Sequence, residues 1–108
     1  MEVREYIDPA GRSLFEKWFV GLDARAAAKV TVALARIEHG IRSNVKGVGG
    51  GVLELKIDYG PGYRIYFGKD GERLVILLGG GTKKRQSADI EAARRLWQEY
   101  KARKKVER

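Results

Sequence analysis

Hydrophobic and polar residues alternate most regularly between residues 53 and 67. In the first half of this stretch, Leu53, Leu55 and Ile57 alternate with Glu54, Lys56 and Asp58. After the turn Gly60-Pro61-Gly62, Tyr63, Ile65 and Phe67 alternate with Arg64 and Tyr66. Because successive side chains of a strand point to opposite faces, the pattern predicts two paired strands with one apolar and one charged face.

The turn leaves two pairing registers open, because residues on one face must lie opposite each other in an antiparallel pair. A five-residue loop, Tyr59–Tyr63, would place Asp58 opposite Arg64 and Lys56 opposite Tyr66. A three-residue loop, Tyr59–Pro61, would place Lys56 opposite Arg64. The first register favours a cross-strand ion pair, whereas the second brings two cations together, which is unfavourable unless an anion lies between them.

Two helices are predicted upstream, where apolar residues recur every three or four positions. Ser13 begins the first helix, and Glu16 three residues later completes the pattern of a capping box. Asp23 caps a second helix that runs to about His39, and Gly40 ends it. The two helices form a hairpin whose apolar stripes need the apolar face of a sheet as a partner.

Three further elements follow from local patterns. Val3–Tyr6 is a short first strand, and the almost wholly apolar run Arg73–Leu78 is a central strand that ends at Gly79–Gly81. A last helix opens at Ser87 or Asp89. The predicted order is β-α-α-β-β-β-α, an α+β fold in which an antiparallel sheet carries two helices on one face and leaves the charged face open.

Length and composition narrow the class of protein. The chain has 108 residues, of which 44% are hydrophobic, so one domain spanning residues 1–108 is expected. The absence of cysteine excludes disulfides and thiolate metal sites, and the single histidine argues against a histidine zinc site. Neither a long apolar run nor a signal peptide is visible, so we expect a cytoplasmic protein without a membrane span or a cofactor.

Positive charge is concentrated at the C-terminus. The net charge is +8, and residues 83–108 hold ten lysines and arginines against four acids. This excess predicts a polyanionic partner, either nucleic acid or an acidic protein. A solvated helix with a frayed basic tail at about 101–108 is the alternative. Residues 42–51, which include Lys46 and three consecutive glycines, are expected to form a flexible basic loop.

Together these residues resemble the RelE/ParE superfamily of bacterial toxins, and within it the HigB-like, phage-type addiction module killer branch. The matching segments are Phe15 with Trp18 and Leu22, the hairpin Leu53–Phe67, and the run Leu77–Lys83 followed by Gln86, Asp89 and Ile90. The resemblance spans about residues 3–97. It implies a RelE-like fold and the toxin of a type II toxin–antitoxin system, which is neutralised by a cognate antitoxin that commonly carries a helix-turn-helix.

The resemblance leaves the target open. Relatives of the RelE and HigB type cleave mRNA, usually on the ribosome, whereas ParE relatives share the fold but poison DNA gyrase. We expect a metal-independent, ribosome-dependent mRNA endonuclease. A gyrase inhibitor and a degenerate toxin that only binds its antitoxin or RNA are the alternatives, since the fold alone cannot distinguish them.

The candidate catalytic residues are Lys56, Arg64 and Lys83, which align with catalytic positions of the RelE group. Metal-free cleavage of RNA needs cations around the crowded phosphorane, and arginine binds phosphate with two hydrogen bonds. The alternatives are a structural ion pair between Arg64 and Asp58, an exposed strand lysine at Lys56 and a solvated basic turn at Lys83.

Further residues are candidates for RNA contact or for proton transfer. The expected RNA-binding residues are Lys46, Tyr66, Lys84 and Arg85. Glu54 replaces a RelE lysine and serves either as a base or, as we favour, as an ion-pair partner of Lys56. Asp89 falls where RelE carries a tyrosine, and it acts either in catalysis or as a stabilising acid at a helix N-terminus. Trp97 is expected in the core, with contact to the antitoxin as the alternative.

Overall fold

The computed structural model describes residues 1–107 as five strands and three helices. In chain order these are β1 (Glu2–Glu5), α1 (Leu14–Val20), α2 (Ala24–Glu38), β2 (Val45–Gly47), β3 (Leu53–Ile57), β4 (Tyr63–Asp70), β5 (Leu74–Thr82) and α3 (Gln86–Val106). The predicted mixed α+β class is confirmed. Strand β2 was not predicted; it lies within residues 42–51, which were expected to form a flexible loop.

The starts of α1 and α2 follow from their capping residues. The Ser13 hydroxyl accepts a hydrogen bond from the Glu16 backbone N–H at 3.0 Å, and the Asp23 carboxylate accepts one from Ala26 at 2.9 Å. Helix α2 ends just before Gly40, which adopts φ +78°. Each cap satisfies a backbone donor that would otherwise lack a partner, so these boundaries are fixed locally.

The sheet has the strand order β1-β5-β4-β3-β2 and is mixed. Strand β1 pairs with β5 in parallel, with Glu2 opposite Leu74 and Glu5 opposite Leu77. The other neighbouring pairs are antiparallel. The prediction of a wholly antiparallel sheet was therefore wrong, because β1 is joined to β5 through most of the chain and a long connection permits parallel pairing.

Helices cover both faces of the sheet. On one face, α1 and α2 pack against the odd-numbered apolar residues of the hairpin, including Leu55, Ile65 and Phe67. On the other face, α3 forms a second core whose buried members are Tyr6, Val52, Tyr66, Ile76, Leu78, Ala93 and Trp97. The predicted open, charged face is therefore wrong. Strand β5 is apolar at both parities, so both of its faces need a covering helix.

Glycines let aromatic rings pack directly on the sheet. A Cβ atom at Gly80 would lie 2.2 Å from a Trp18 ring atom, and one at Gly68 would lie 2.5 Å from Trp97. The predicted end of β5 at Gly79–Gly81 was wrong, because the strand continues to Thr82. The glycines are needed for close packing inside the strand and do not end it.

The basic end of α3 is helical through Val106 and anchored to the sheet. The Arg103 guanidinium donates to the Ile7 carbonyl at 2.7 Å, and the Lys104 ammonium binds the Asp70 carboxylate. The alternative of a frayed tail is thus wrong for residues 101–106, and Arg108 lies outside the described residues. Within residues 1–107, no helix combines the length and the apolar character that crossing a membrane would require.

Candidate nucleic-acid interface at the turn end of the hairpin

The hairpin adopts the register that brings the two cations together. Lys56 lies opposite Arg64, and Glu54 lies opposite Tyr66. Strand β3 ends at Ile57 and β4 begins at Tyr63, and the register is that of the three-residue loop, residues 59–61. Of the two registers considered from the sequence, the structure therefore has the one without the cross-strand pair between Asp58 and Arg64.

Arg64 is buried beneath α3, with 5% of its surface exposed. Its Nη1 donates to the Gly62 carbonyl at 2.8 Å, and its Nε lies 3.7 Å from the Glu54 Oε1. We expected Arg64 to bind phosphate on an open face of the sheet. The predicted location is wrong, because α3 covers that face. The alternative pair with Asp58 is also wrong, since Glu54 is the carboxylate that faces Arg64.

Glu54 is 1% exposed and, besides Arg64, meets Gln86 and Lys46. Its Oε2 accepts a hydrogen bond from the Gln86 amide at 2.9 Å, and its Oε1 lies 3.8 Å from the Lys46 Nζ. The favoured ion pair with Lys56 is wrong, because Lys46 of the unexpected strand β2 lies opposite Glu54 instead. We call Glu54, Arg64, Tyr66 and Gln86 the buried polar cluster.

Tyr66 is wholly buried and not accessible for stacking on an RNA base. Within the described residues 1–107, its hydroxyl has no partner at hydrogen-bonding geometry. Burial raises the pKa of Tyr66, and the neighbouring Glu54 charge raises it further. The predicted RNA contact through this ring is therefore wrong, because the tyrosine lies in the core beneath α3.

Lys56 and Lys83 are accessible at the turn end of the hairpin, on either side of Arg64. The Lys56 Nζ lies 3.4 Å from the Asp58 Oδ1, and both side chains are at least half exposed. Lys83 donates its backbone N–H to the Gly62 carbonyl at 3.0 Å, so it lies beside the same carbonyl that Arg64 binds. Lys83 is followed by Lys84 and Arg85 in an exposed 3-10 turn just before α3.

Asp89 lies in the first turn of α3 against Gly81, where a Cβ atom would come within 1.9 Å of its Oδ2. This oxygen is buried and has no hydrogen-bond partner in residues 1–107. Burial raises the pKa of Asp89, and the Arg85 charge partly offsets the rise. The carboxyl borders a cleft of about 380 Å³ between α1 and α3, which Lys17 and Arg85 also line.

Comparison with known proteins relates the chain to a family. Residues 17–101 match the family described as "Phage derived protein Gp49-like (DUF891)". The chain belongs to the Gp49-like family. Members of this family are commonly toxins of toxin–antitoxin systems. The chain is also 42% identical over 86 residues to an uncharacterized protein of Haemophilus influenzae, a match that covers 79% of this chain and 87% of the relative.

The part that matches the Gp49-like family also contains a cleft that the sequence analysis missed. It lies between α2 and the end of β3 and has a volume of about 550 Å³. We call it the α2–β3 cleft; its polar and aromatic lining residues are Lys29, Arg36, Ser43, Asn44, Lys56, Asp58 and Tyr59. The sequence feature that could have indicated this cleft is the seven-residue spacing of Lys29 and Arg36, which places both side chains on one side of a helix.

Proposed function

We propose that this Gp49-like protein is the toxin of a toxin–antitoxin system and acts as a ribosome-dependent mRNA endonuclease. The observation that carries the proposal is the pairing of Lys56 opposite Arg64, with Lys83 beside the same turn. Like charges directly opposed on a sheet are destabilising unless anions neutralise them. Glu54 faces the buried Arg64, whereas the exposed Lys56 can exchange its contact with Asp58 for a phosphate. The family membership supports the toxin role.

In this proposal the exposed cations act on the scissile phosphate. Lys56 and Lys83 stabilise the charge that builds up on the phosphorane as the ribose 2′-OH attacks, a type of contribution worth about 3 kcal/mol per well-placed donor. Arg64 positions the turn through the Gly62 carbonyl and adds positive charge from below. We assign to Asp89, whose pKa burial raises above its ordinary value, the transfer of a proton to the departing 5′-oxygen, which leaves a 2′,3′-cyclic phosphate and a free 5′-hydroxyl.

The ribosome supplies what the chain lacks. The exposed carboxylate at this site, Asp58, is paired with Lys56. Alignment of the attacking hydroxyl and acceptance of its proton, by water or by a group of the ribosome, are therefore assigned to the ribosome-bound complex. We therefore expect little cleavage of naked RNA by the purified protein.

A cognate antitoxin is the expected partner. Since the chain carries a net charge of +8, the antitoxin surface that meets it should be acidic. An antitoxin with a helix-turn-helix, encoded beside this gene, would fit this role. Co-purification of the two proteins would test the pairing.

The burial of Arg64 and Tyr66 favours a second candidate, a toxin that binds its target without cutting. Such a protein would resemble the ParE gyrase inhibitors, or it would be a degenerate toxin that only binds its antitoxin or RNA. For it, the buried polar cluster would be purely structural, and the exposed lysines would contribute only to binding.

Primer extension on a reporter mRNA after induction separates these candidates. The nuclease predicts discrete cuts that fall about 100-fold in Lys56→Ala or Lys83→Ala, because each removes a cation from the phosphorane. Lys105→Ala, which removes an exposed lysine from the far end of α3, should leave the cuts unchanged. Toxicity with intact mRNA and an SOS response would instead support gyrase poisoning.

A further inference from the structure

We infer that the α2–β3 cleft binds one nucleotide of a single-stranded RNA, with the two phosphates that flank it on Lys29 and Arg36 and its base on Tyr59. The inference rests on the proposed function in taking RNA as the target, and it identifies where the RNA lies beside Lys56. Lys56 joins the two sites, because it lines the cleft and also lies opposite Arg64.

The cleft exists because β2 is shorter than the strand beside it. Strand β2 begins at Val45, opposite Leu55, while β3 continues to Ile57. Just before Val45, the two segments are joined by the hydrogen bond from the Lys56 N–H to the Asn44 carbonyl, at 3.0 Å. Beyond it, the space between α2 and β3 stays open, and its volume of about 550 Å³ is within the usual range of small-ligand sites.

Two cations of the cleft have no acidic partner. Lys29 and Arg36 are exposed, and neither lies within 4.0 Å of a carboxylate oxygen in the described chain, residues 1–107. Their seven-residue separation corresponds to a spacing of about 10 Å along α2. The acidic residue of the lining, Asp58, is already paired with Lys56. The cleft therefore carries an excess of positive charge that an anionic ligand would neutralise.

An aromatic ring and apolar groups lie beside these charges. Tyr59 stacks on Tyr63 with ring centroids 6.4 Å apart, and the Lys29 Nζ lies 5.4 Å from the Tyr59 centroid. When a base stacks on Tyr59, Lys29 can exchange its contact with the ring for a phosphate. Val32 and Ile41 are about half exposed in the same cleft, with 52% and 47% of their surface accessible.

This combination favours RNA over an acidic peptide. A single-stranded nucleic acid uses both a cation for its phosphate and an aromatic face for its base, whereas an acidic side chain needs only the cation. Asn44 adds an amide at the rim, in the left-handed conformation with φ +65°, which costs a non-glycine residue energy. Its exposed amide can donate and accept hydrogen bonds, as contact with a base edge or the ribose 2′-OH requires.

The test measures binding of a fluorescently labelled single-stranded RNA hexamer to the full-length protein by anisotropy, over a range of salt concentrations. Arg36→Ala and Lys29→Ala should each weaken binding several-fold and lower the salt slope by about 0.7, the value for one lost phosphate contact. Tyr59→Ala should weaken binding about tenfold, whereas Tyr59→Phe should bind like the wild type, because stacking is kept. Arg25→Ala is the matched control, since Arg25 is an exposed cation of α2 outside the cleft.

Unchanged RNA affinity and salt slope in the Lys29→Ala/Arg36→Ala double variant would overturn the inference. Loss of antitoxin binding in that variant, with RNA binding intact, would also overturn it and assign the cleft to an acidic protein. The same variants are assayed by primer extension. If the wild type cuts no mRNA but the cleft variants bind RNA more weakly than the wild type, the nuclease proposal fails and the cleft assignment stands. If the wild type cuts mRNA but the cleft variants bind RNA as tightly as the wild type, only the cleft assignment fails.

Discussion

Strands β3 and β4 carry charged residues into two opposite environments within a few residues of each other. In the buried polar cluster, Glu54 and Arg64 are 1% and 5% exposed, and α3 shields them from water. In the α2–β3 cleft, Lys56 has half of its side chain in solvent, although it lies directly opposite Arg64. Glu54, Lys56 and Arg64 all have even numbers and lie on the same face of the sheet. The difference in their exposure therefore comes from what covers each of them.

Charged residues of the same types therefore have two different roles in this protein. A charge beneath a helix is held by other protein groups, and removing its partner leaves it unpaired away from water. A charge at the open end of the sheet keeps its hydration and is free to exchange it for an anion. The buried cluster therefore supports the fold, and the exposed cations are the groups available to a ligand. The following predictions test this division.

The largest expected effect is that of Glu54→Ala. It leaves the Arg64 guanidinium buried without its carboxylate, so the free energy of unfolding should fall by about 3–5 kcal/mol in urea titrations. Asp58→Ala is the control, because the exposed pair of Asp58 with Lys56 is worth about 0–1 kcal/mol. Should Glu54→Ala not accumulate in folded form, Glu54→Gln is measured instead, with a smaller loss. Equal effects at Glu54 and Asp58 would contradict the division.

Gly68→Ala tests whether the packing of α3 maintains the burial. The added methyl would meet the Trp97 ring, and the overpacking should cost about 1–3 kcal/mol in the same titration. Gly79→Ala is the matched control on a neighbouring strand, since a Cβ there has no neighbour within 4 Å. If both alanines were tolerated equally, α3 would not be held by this contact.

Tyr66→Phe should change the stability at neutral pH by less than about 1 kcal/mol, because the buried hydroxyl it removes has no hydrogen-bond partner within residues 1–107. The pKa values of Tyr66 and of Tyr100 are raised by burial, for Tyr100 to about 12.

A raised tyrosine pKa means that the fold favours the neutral phenol. This contribution is complete below the unfolded pKa of about 10 and is lost as the pH rises through the folded value. Unfolding measured from pH 9 to pH 12 should therefore show falling stability above about pH 10, with a shallower fall in Tyr66→Phe and in Tyr100→Phe. A fall of equal steepness in all three proteins would refute the assignment.

The smallest expected effect on stability is that of Arg36→Ala. Because this exposed cation has no acidic partner in the described chain, the free energy of unfolding should stay within about 0.5 kcal/mol of the wild type. Thermal unfolding followed by circular dichroism measures this. A substantial loss would show that Arg36 contributes to the fold, and weaker RNA binding in that variant would then need a different explanation.

The local elements were predictable because short-range chemistry determines them. Ser13, Asp23 and Gly40 mark helix boundaries through their own hydrogen bonds and backbone angles, and the alternation in the hairpin assigns each side chain to a face. Alternation does not say whether a face is covered. Strand β5 carries that information, since apolar residues at both parities indicate helices on both sides. The charges of Glu54 and Arg64 on strands β3 and β4 are typical of an open face and point the other way.

The sequence by itself determined the class of the fold, the helix starts and the opposition of charged and apolar faces, because each depends on residues close together in the chain. Only the tertiary structure decided that α3 covers the face with Glu54, Arg64 and Tyr66, and that β2 leaves a cleft beside Lys56. The first outcome depends on contacts between distant residues, such as the bond from Gln86 to Glu54, and the second on where the pairing of β2 with β3 stops, at the bond from Lys56 to Asn44. Whether a charge is buried or free is thus set by the helix that packs over it.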